Sequence, residues 1–359
     1  MVERLEFQVP LAPLSTLGVG GPARVLVRAI DARDVVAAHD WCESERAALL
    51  VLGGGSNLVI ADAGWSGLVL QIALSGIDFH VAGGDTLIAA AAGESWDRLV
   101  ATSVERALAG MECLSGIPGS VGGTPIQNVG AYGQEVGEVV ESVSVFDRRE
   151  GRMRTLAGDE CRFAYRTSRF KGEDAGRFVV CGVTFRLRPG EPAVAYPDLV
   201  NYLDEARIEV PTVAHVRQAV LAIRRRKGMV LDASDADTRS VGSFFMNPVV
   251  AEHARERMSS VAGATAPAYP AGPGQVKVPA AWLIEQAGFK KGDVEGGAAI
   301  STKHPLAIVN RGGAKAGDVV RLAARIKRGV MDRFGVALRP EPVFVGFASD
   351  PDVQYLTLA

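Results

Sequence analysis

The 359-residue chain carries 39 Lys and Arg against 41 Asp and Glu, a net charge of −2, with 48% hydrophobic and 22% charged residues. That length accommodates two or three domains with sizeable cores, and the charge balance gives no general attraction for nucleic acid or an anionic membrane. Cys42, Cys113, Cys161 and Cys181 form no CxxC pair and only five histidines are present, which argues against a zinc or iron–sulfur centre and fits free thiols in a reducing cytoplasm.

The opening segment MVERLEFQVP has no charged-then-apolar leader pattern, and no stretch is apolar for long enough to span a bilayer, so a cytoplasmic protein is expected. In chain order, a glycine-rich turn leads into an alternating strand over 23–30. A helix follows over 31–47, capped by Asp31 or Asp34, then short apolar strands at 48–52 and 68–72. This is a small β-α-β start. Residues 86–92 read as a strand and 96–108 as a helix with Trp96, Leu99, Val100, Val104 and Leu108 on one face. Residues 142–146 and 152–156 flank the turn 149–151 as a hairpin, and 178–187 alternates as a half-buried strand, so this block is α+β with antiparallel pairing. Pro189, Pro192 and Pro197 mark a connection. Thr212 caps a helix that runs to the basic cluster Arg224–Lys227. Residues 232–240 read as a loop and 260–275 as a mobile linker or surface insert. Residues 278–289 and 318–334 are amphipathic helices, the second ending at Gly335, and 336–346 reads as a strand.

Between the 96–108 helix and the hairpin lies Gly116–Gly133, GIPGSVGGTPIQNVGAYG, in which six of eighteen residues are glycine and none is charged. Glycine is costly to order, so such a cluster needs a backbone reason. Either the main chain approaches a ligand closely, with N–H groups facing phosphate oxygens, or this is a surface loop rich in turns. A second run, VLGGGSN at 51–57, follows an apolar strand, and two such loops suit an extended anion such as a dinucleotide pyrophosphate. Neither loop matches GxGxxG or GxxxxGK[ST].

Three residues stand out for chemistry. Arg166, in YRTSRFK (165–171), follows two aromatics and requires an anionic partner if buried, either a ligand or a structural ion pair. Ser243, between Gly242 and Phe244–Phe245, is either a turn or capping hydroxyl or a proton donor to a strongly basic acceptor such as an enolate. Glu341, between two prolines at the edge of an apolar segment, is paired or functional. Within the basic cluster most cations suit a solvated helix C-terminus, and one or two can meet an anionic ligand. Tyr196 and Tyr202 read as lid aromatics or as packing residues.

Taken together, STLGVGGPA (15–23), VLGGGSN (51–57), GIPGSVGGTPIQNVGAYG (116–133), YRTSRFK (165–171), GSFFMNP (242–248), AAWLIEQAG (280–288), GGAAIS (296–301) and RPEPVFVG (339–346) resemble the UDP-N-acetylenolpyruvoylglucosamine reductases of bacterial cell-wall synthesis. The resemblance spans nearly the whole chain. It implies an α+β protein of three domains, two of them a vanillyl-alcohol-oxidase-type module for non-covalent FAD (1–74 with 336–359, and 75–210) and the third a substrate domain (211–335). It implies NADPH as reductant of the flavin, then hydride transfer to the vinyl carbon of the enolpyruvyl sugar nucleotide. Arg166 and Glu341 match the positions that stabilise the developing charge, and Ser243 matches the proton donor. The implied cofactor residues are Gly53, Gly54, Gly55, Ser56, Asn57, Leu58, Gly119, Ser120, Gly122, Gly123, Asn128, Gly130, Ala131 and Tyr132. Tyr196, Lys227, Asn247 and Gln286 match substrate positions, and YPDL with Tyr196 resembles the longer subclass whose tyrosine loop covers the diphosphate. No metal is implied. The partners are the UDP-sugar and NADPH, without nucleic acid or membrane. The alternatives are an FAD-dependent alcohol or lactone oxidase of the same fold, and a non-catalytic sugar-nucleotide binding protein. Departures are Ser15 for a frequent Asn, Met246 for a common Lys, Pro342 after the Glu, and a longer 260–275 segment.

Overall fold

A computed structural model describes residues 4–358; residues 1–3 of the opening segment lie outside the described residues. Contacts divide the chain into two units. Among the described residues, the first holds 4–9, Ala23–Gly55 and Ser66–Val230; the second holds Pro10–Pro22, Ser56–Trp65 and 231–358.

In the first unit, strands Glu6–Pro10, Pro22–Ala29, Trp65–Ile72 and Leu49–Leu52 lie in that order, the last two parallel. Helix α1 (Ala32–Glu45) makes the crossover that the β-α-β reading requires. It starts at Asp31, whose carboxylate accepts the N–H groups of Arg33 and Asp34 in a capping box. A second, antiparallel sheet runs Arg152–Ala157, Val140–Asp147, Phe178–Pro189, Asp85–Ala91, Ile77–Ala82. Helix α2 (Trp96–Glu105) turns the expected face, Trp96, Leu99, Val100 and Val104, into a core that also buries Phe146 and Phe185. Where the prolines read as a connection, helix α3 (Pro197–Glu205) begins with Pro197 in its first turn, where a missing N–H loses no helical bond. Helix α4 (Val213–Arg226) carries the expected Thr212 cap. It packs with α3 around Cys113, Leu199, Leu203, Val216 and Val220 as a separate small core.

The second unit pairs strands Ser240–Ser243, Ala307–Asn310, Ala298–Ile300 and Val294–Glu295. Helix α5 (Glu252–Ala262) sits with a three-stranded sheet of Val249–Ala251, Gln275–Lys277 and Tyr269–Gly272. Residues 260–275 therefore contain a helix end and a strand in place of a linker. Helix α6 (Ala280–Gln286) and the long α7 (Ala316–Phe334), ended at Gly335 with φ 67°, bury Leu283, Ile284, Val319, Leu322, Ala323 and Ile326. Only Val343–Val345 of the expected final strand is regular; it pairs in parallel with Leu58–Ile60. Helix α8 (Pro351–Thr357) follows, and the buried Lys327 ammonium donates to the carbonyls of Tyr355, Leu356 and Leu358 at its end.

The hairpin turn at 149–151 rests on a buried charge. Asp147, whose side chain is fully buried, receives Arg177 Nε at 3.1 Å and Nη2 at 2.7 Å, and the N–H groups of Arg149 and Glu150. The Arg177 guanidinium, against the opposing effect of burial, takes its pKa from 3.8 to about 2. A lowered carboxylate pKa stabilises the fold fully above the unfolded value and loses that contribution as pH falls toward the folded one. Asp147→Asn is expected to lower stability by about 2 kcal/mol at neutral pH. Urea unfolding at pH 7 and at pH 3 checks this: the gap between variant and wild type narrows at the lower pH.

All four cysteines are buried and free, and burial pushes Cys113 and Cys161 up to about 12, so neither is a nucleophile at neutral pH. Among the described residues no helix is long and apolar enough to cross a membrane, and no group of three His, Cys, Asp or Glu side chains is placed to hold a metal.

Candidate active site

The two glycine runs meet each other. A Cβ on Gly54 would lie 2.6 Å from the Gly119 Cα, and one on Gly53 would lie 2.6 Å from the Ser120 Oγ. Neither Gly53 nor Gly54 has a left-handed φ; main-chain contact demands glycine at Gly54, while at Gly53 only the Ser120 hydroxyl stands in the way. Gly122 is excluded from bearing a side chain by Ala92, whose Cβ would be 2.6 Å away, and Gly130 is crowded by the Gln134 carbonyl at 3.0 Å beside the Arg166 guanidinium. Gly55 and Gly119 have φ of 62° and 124°, the conformational case for glycine. Gly123 is different. It is exposed, has no left-handed φ, and has no atom within 4 Å of where a Cβ would sit. No packing or backbone requirement explains it, and its main chain is open to approach from outside. An uncharged loop with that opening fits the pyrophosphate of FAD.

Around this loop the first unit gathers several expected site residues. Arg166 has φ 55° and donates from Nη2 to the Gly130 carbonyl at 2.6 Å, which ties the candidate catalytic cation to the glycine loop. Its guanidinium also lies 5.3 Å from the Tyr165 ring. Asn128 is 1% exposed; its amide donates to Glu135 and Ala164 and accepts from Gly137, so its side chain braces the loop from within. Ala131 stands in a two-residue strand facing Gln134. Tyr132 meets Tyr196 edge-to-face with centroids 5.3 Å apart, and burial raises its phenol pKa. Lys227, following α4, donates to Asp198 at 2.7 Å, two residues beyond Tyr196. The packing reading of Tyr196 describes what is seen: its ring packs on Tyr132 of the glycine loop.

The second unit holds the other two candidate catalytic residues. Gly242 has φ 79°, and the pairing with Ala307–Asn310 shifts register between Ser240 and Ser243, a bulge that re-aims the half-buried Ser243. Phe244 and Phe245 beside it are buried. Segment 244–246 then pairs with 339–341: the Glu341 N–H donates to the Phe244 carbonyl, and the Met246 N–H to the Arg339 carbonyl, both at 2.9 Å. Ser243 and Glu341 are therefore held one residue apart across a ladder. Asn57, expected at the cofactor, donates to the Glu341 carbonyl at 3.4 Å, and Ser56 and Leu58 fall in this same unit. Asn247 accepts the Ala280 N–H at 2.9 Å at the start of α6, and Gln286 is the last residue of that helix.

Sequence reasoning missed Glu112. It is fully buried and accepts from Gly110, from the Gln134 amide and from Ala193, while Gln134 accepts the Cys113 N–H. A single acid in the apolar run MECLSG was the available signal, since a buried carboxylate needs such donors.

Residues 23–157 match a family model described as an FAD binding domain, and residues 234–345 match one described as UDP-N-acetylenolpyruvoylglucosamine reductase, C-terminal domain. The chain is 48% identical over 348 residues to the UDP-N-acetylenolpyruvoylglucosamine reductase of Thermobifida fusca, covering 94% of this chain and 97% of the relative. It is 48% identical over 356 residues to that of Mycobacterium avium, covering 94% of each. The crystal structure of UDP-N-acetylenolpyruvylglucosamine reductase from Thermus caldophilus superposes with a TM-score of 0.65 at 27% identity, covering 95% of this chain and 99% of that one.

Proposed function

Because the chain belongs to the UDP-N-acetylenolpyruvoylglucosamine reductase family, we propose that it reduces the enolpyruvyl ether of UDP-N-acetylglucosamine to UDP-N-acetylmuramate, with FAD as cofactor and NADPH as reductant. The observation that carries the cofactor assignment is the opening at Gly123 inside two mutually packed, uncharged glycine loops. Gly53–Gly55, Gly119–Gly123 and the 128–132 segment would hold FAD. Bound there, FAD supplies the hydride.

The chain's own groups account for the rest. Arg166, restrained by the Gly130 carbonyl, answers the charge of the substrate carboxylate. Glu341, with its backbone fixed between Phe244 and Asn57, shapes the field in which negative charge develops. A field organised in advance is expected to be the largest single contribution to such a step. Ser243 gives its hydroxyl proton to the carbon next to the carboxylate, so one hydride and one proton add across the double bond. Tyr196 and Lys227 take the diphosphate side, and Asn247 and Gln286 the remaining sugar-nucleotide contacts. The division into two FAD-handling segments, 1–74 with 336–359 and 75–210, and a substrate segment, 211–335, is the accompanying proposal for how the ligands are shared. A UDP-sugar and NADPH as ligands favour a cytoplasmic location.

The visible spectrum of the purified protein tests the function. Yellow protein that bleaches with NADPH and recovers with the enolpyruvyl substrate in the absence of oxygen is the expected result. Recovery by oxygen alone points to an oxidase, and colourless protein to a binding protein. Attachment is expected to be non-covalent, since neither glycine run contains a His or Cys. Acid precipitation then leaves the colour in the supernatant; colour in the pellet contradicts it.

A further inference from the structure

One clamp centres on two residues given no role above, Asp97 and Arg217. Asp97, in the first turn of α2, accepts the Gly116 N–H at 2.6 Å through Oδ1. Arg217 of α4 forks onto the same carboxylate, Nη1 to Oδ1 at 2.6 Å and Nη2 to Oδ2 at 3.0 Å. One helical turn on, a Cβ at Gly116 would meet Leu221 Cδ2 at 2.8 Å. A further turn on, Arg224 Nη2 donates to the Gly116 carbonyl at 3.3 Å and to the Met229 carbonyl at 2.8 Å. Arg217, Leu221 and Arg224 are spaced i, i+4, i+7 and so form one stripe of α4. The first residue of the glycine loop, with φ 71°, is thus held by its N–H, its carbonyl and its missing side chain at once. Lys227, just past the end of α4, bonds Asp198, and Tyr196 two residues earlier packs on Tyr132, near the other end of the loop. The far end is tied separately, through Gln134 to Glu112.

We propose that Asp97, oriented by Arg217, is a positioning residue for the cofactor site: it fixes the entry of Gly116–Gly133 so that the loop is already shaped when FAD arrives. The inference rests on the FAD reading of that loop. An ion pair that only joined α2 to α4 would need Arg217 and a carboxylate; this one also needs the acceptor that Gly116 uses. Replacing Asp97 removes a charged hydrogen bond to the loop, whereas Arg217→Met leaves the acceptor in place but unoriented.

The test measures FAD affinity of the apoprotein, amide exchange in peptides covering 116–133, and thermal stability without cofactor. Asp97→Ala is expected to weaken FAD binding by roughly tenfold to a hundredfold and to speed exchange over the loop. Arg217→Met is expected to do the same to a smaller degree. The exchanged pair Asp97→Arg with Arg217→Asp restores the ion pair but gives Gly116 no acceptor in the right place. It is expected to recover apoprotein stability and not FAD affinity. FAD affinity at the wild-type level in Asp97→Ala, or recovered in full by the exchanged pair, overturns the proposal. If wild-type protein takes up no FAD, the cofactor reading fails, and the clamp is judged on loop exchange in the apoprotein: unchanged exchange in Asp97→Ala overturns it, faster exchange supports it.

Discussion

Ser243→Ala is expected to leave the flavin reducible by NADPH at close to the normal rate, and to slow its reoxidation by the enolpyruvyl substrate by about 10²-fold or more. The change removes one oxygen from a half-buried position beside two buried phenylalanines, so it opens little cavity and spares the fold. The bulge that aims residue 243 belongs to the backbone and to Gly242, whose φ of 79° an alanine at 243 does not disturb. In the proposed mechanism the acceptor is basic enough to take a proton from an alcohol, and the phenylalanines limit the water that would otherwise replace it. Stopped-flow measurement of the two half-reactions separates the outcomes. Turnover within a few-fold of normal removes Ser243 from the mechanism and leaves water or another side chain as the donor.

The second large effect is expected at Glu341 and Arg166. Glu341→Gln keeps the shape and the main-chain bonds to Phe244 and Asn57 but removes the charge. Loss of one preorganised electrostatic contact typically lowers kcat by about 10²–10³. Because the field acts on charge that develops only during the reaction, kcat should fall more than KM rises. Arg166→Gln is expected to have a kinetic effect of similar size, with an additional structural one. Its guanidinium also holds the Gly130 carbonyl at 2.6 Å, so the cofactor content of this variant should fall while that of Glu341→Gln does not. Equal losses in both half-reactions, after correction for bound flavin, would remove both residues from the charge-stabilising role.

Regular elements were legible wherever one face is buried. The α2 stripe, the hairpin around Gly151 and the 178–187 alternation all rest on a periodic apolar pattern that packing then uses. Helix α3 was not legible because three prolines read as connection, and its apolar stripe reduces to Leu199 and Leu203 facing a small separate core. The last strand is shorter than the expected 336–346: Arg339 and Glu341 interrupt its apolar residues, Pro340 and Pro342 supply no N–H to a ladder, and regular pairing begins only at Val343. At the site, the glycine runs were visible but their reason was only half read. Composition suggests a ligand or a turn-rich surface loop, whereas most of these glycines answer protein atoms, and Gly123 meets none. Asp97 leaves no local trace because its partners, the Gly116 N–H and Arg217, are distant in sequence, whereas Glu112 shows only as a lone acid among apolar residues.

The contact between Gly54 and Gly119 means that the two loops share a single seam, like two halves of a casting. A methyl group added at Gly54 has to be accommodated by displacing the main chain at Gly119, so the defect appears in the loop that was not altered. Loss of flavin on substitution at Gly54 is therefore poor evidence that Gly54 touches flavin. Exchange of the 51–57 run alone is likewise expected to disturb the 116–133 loop.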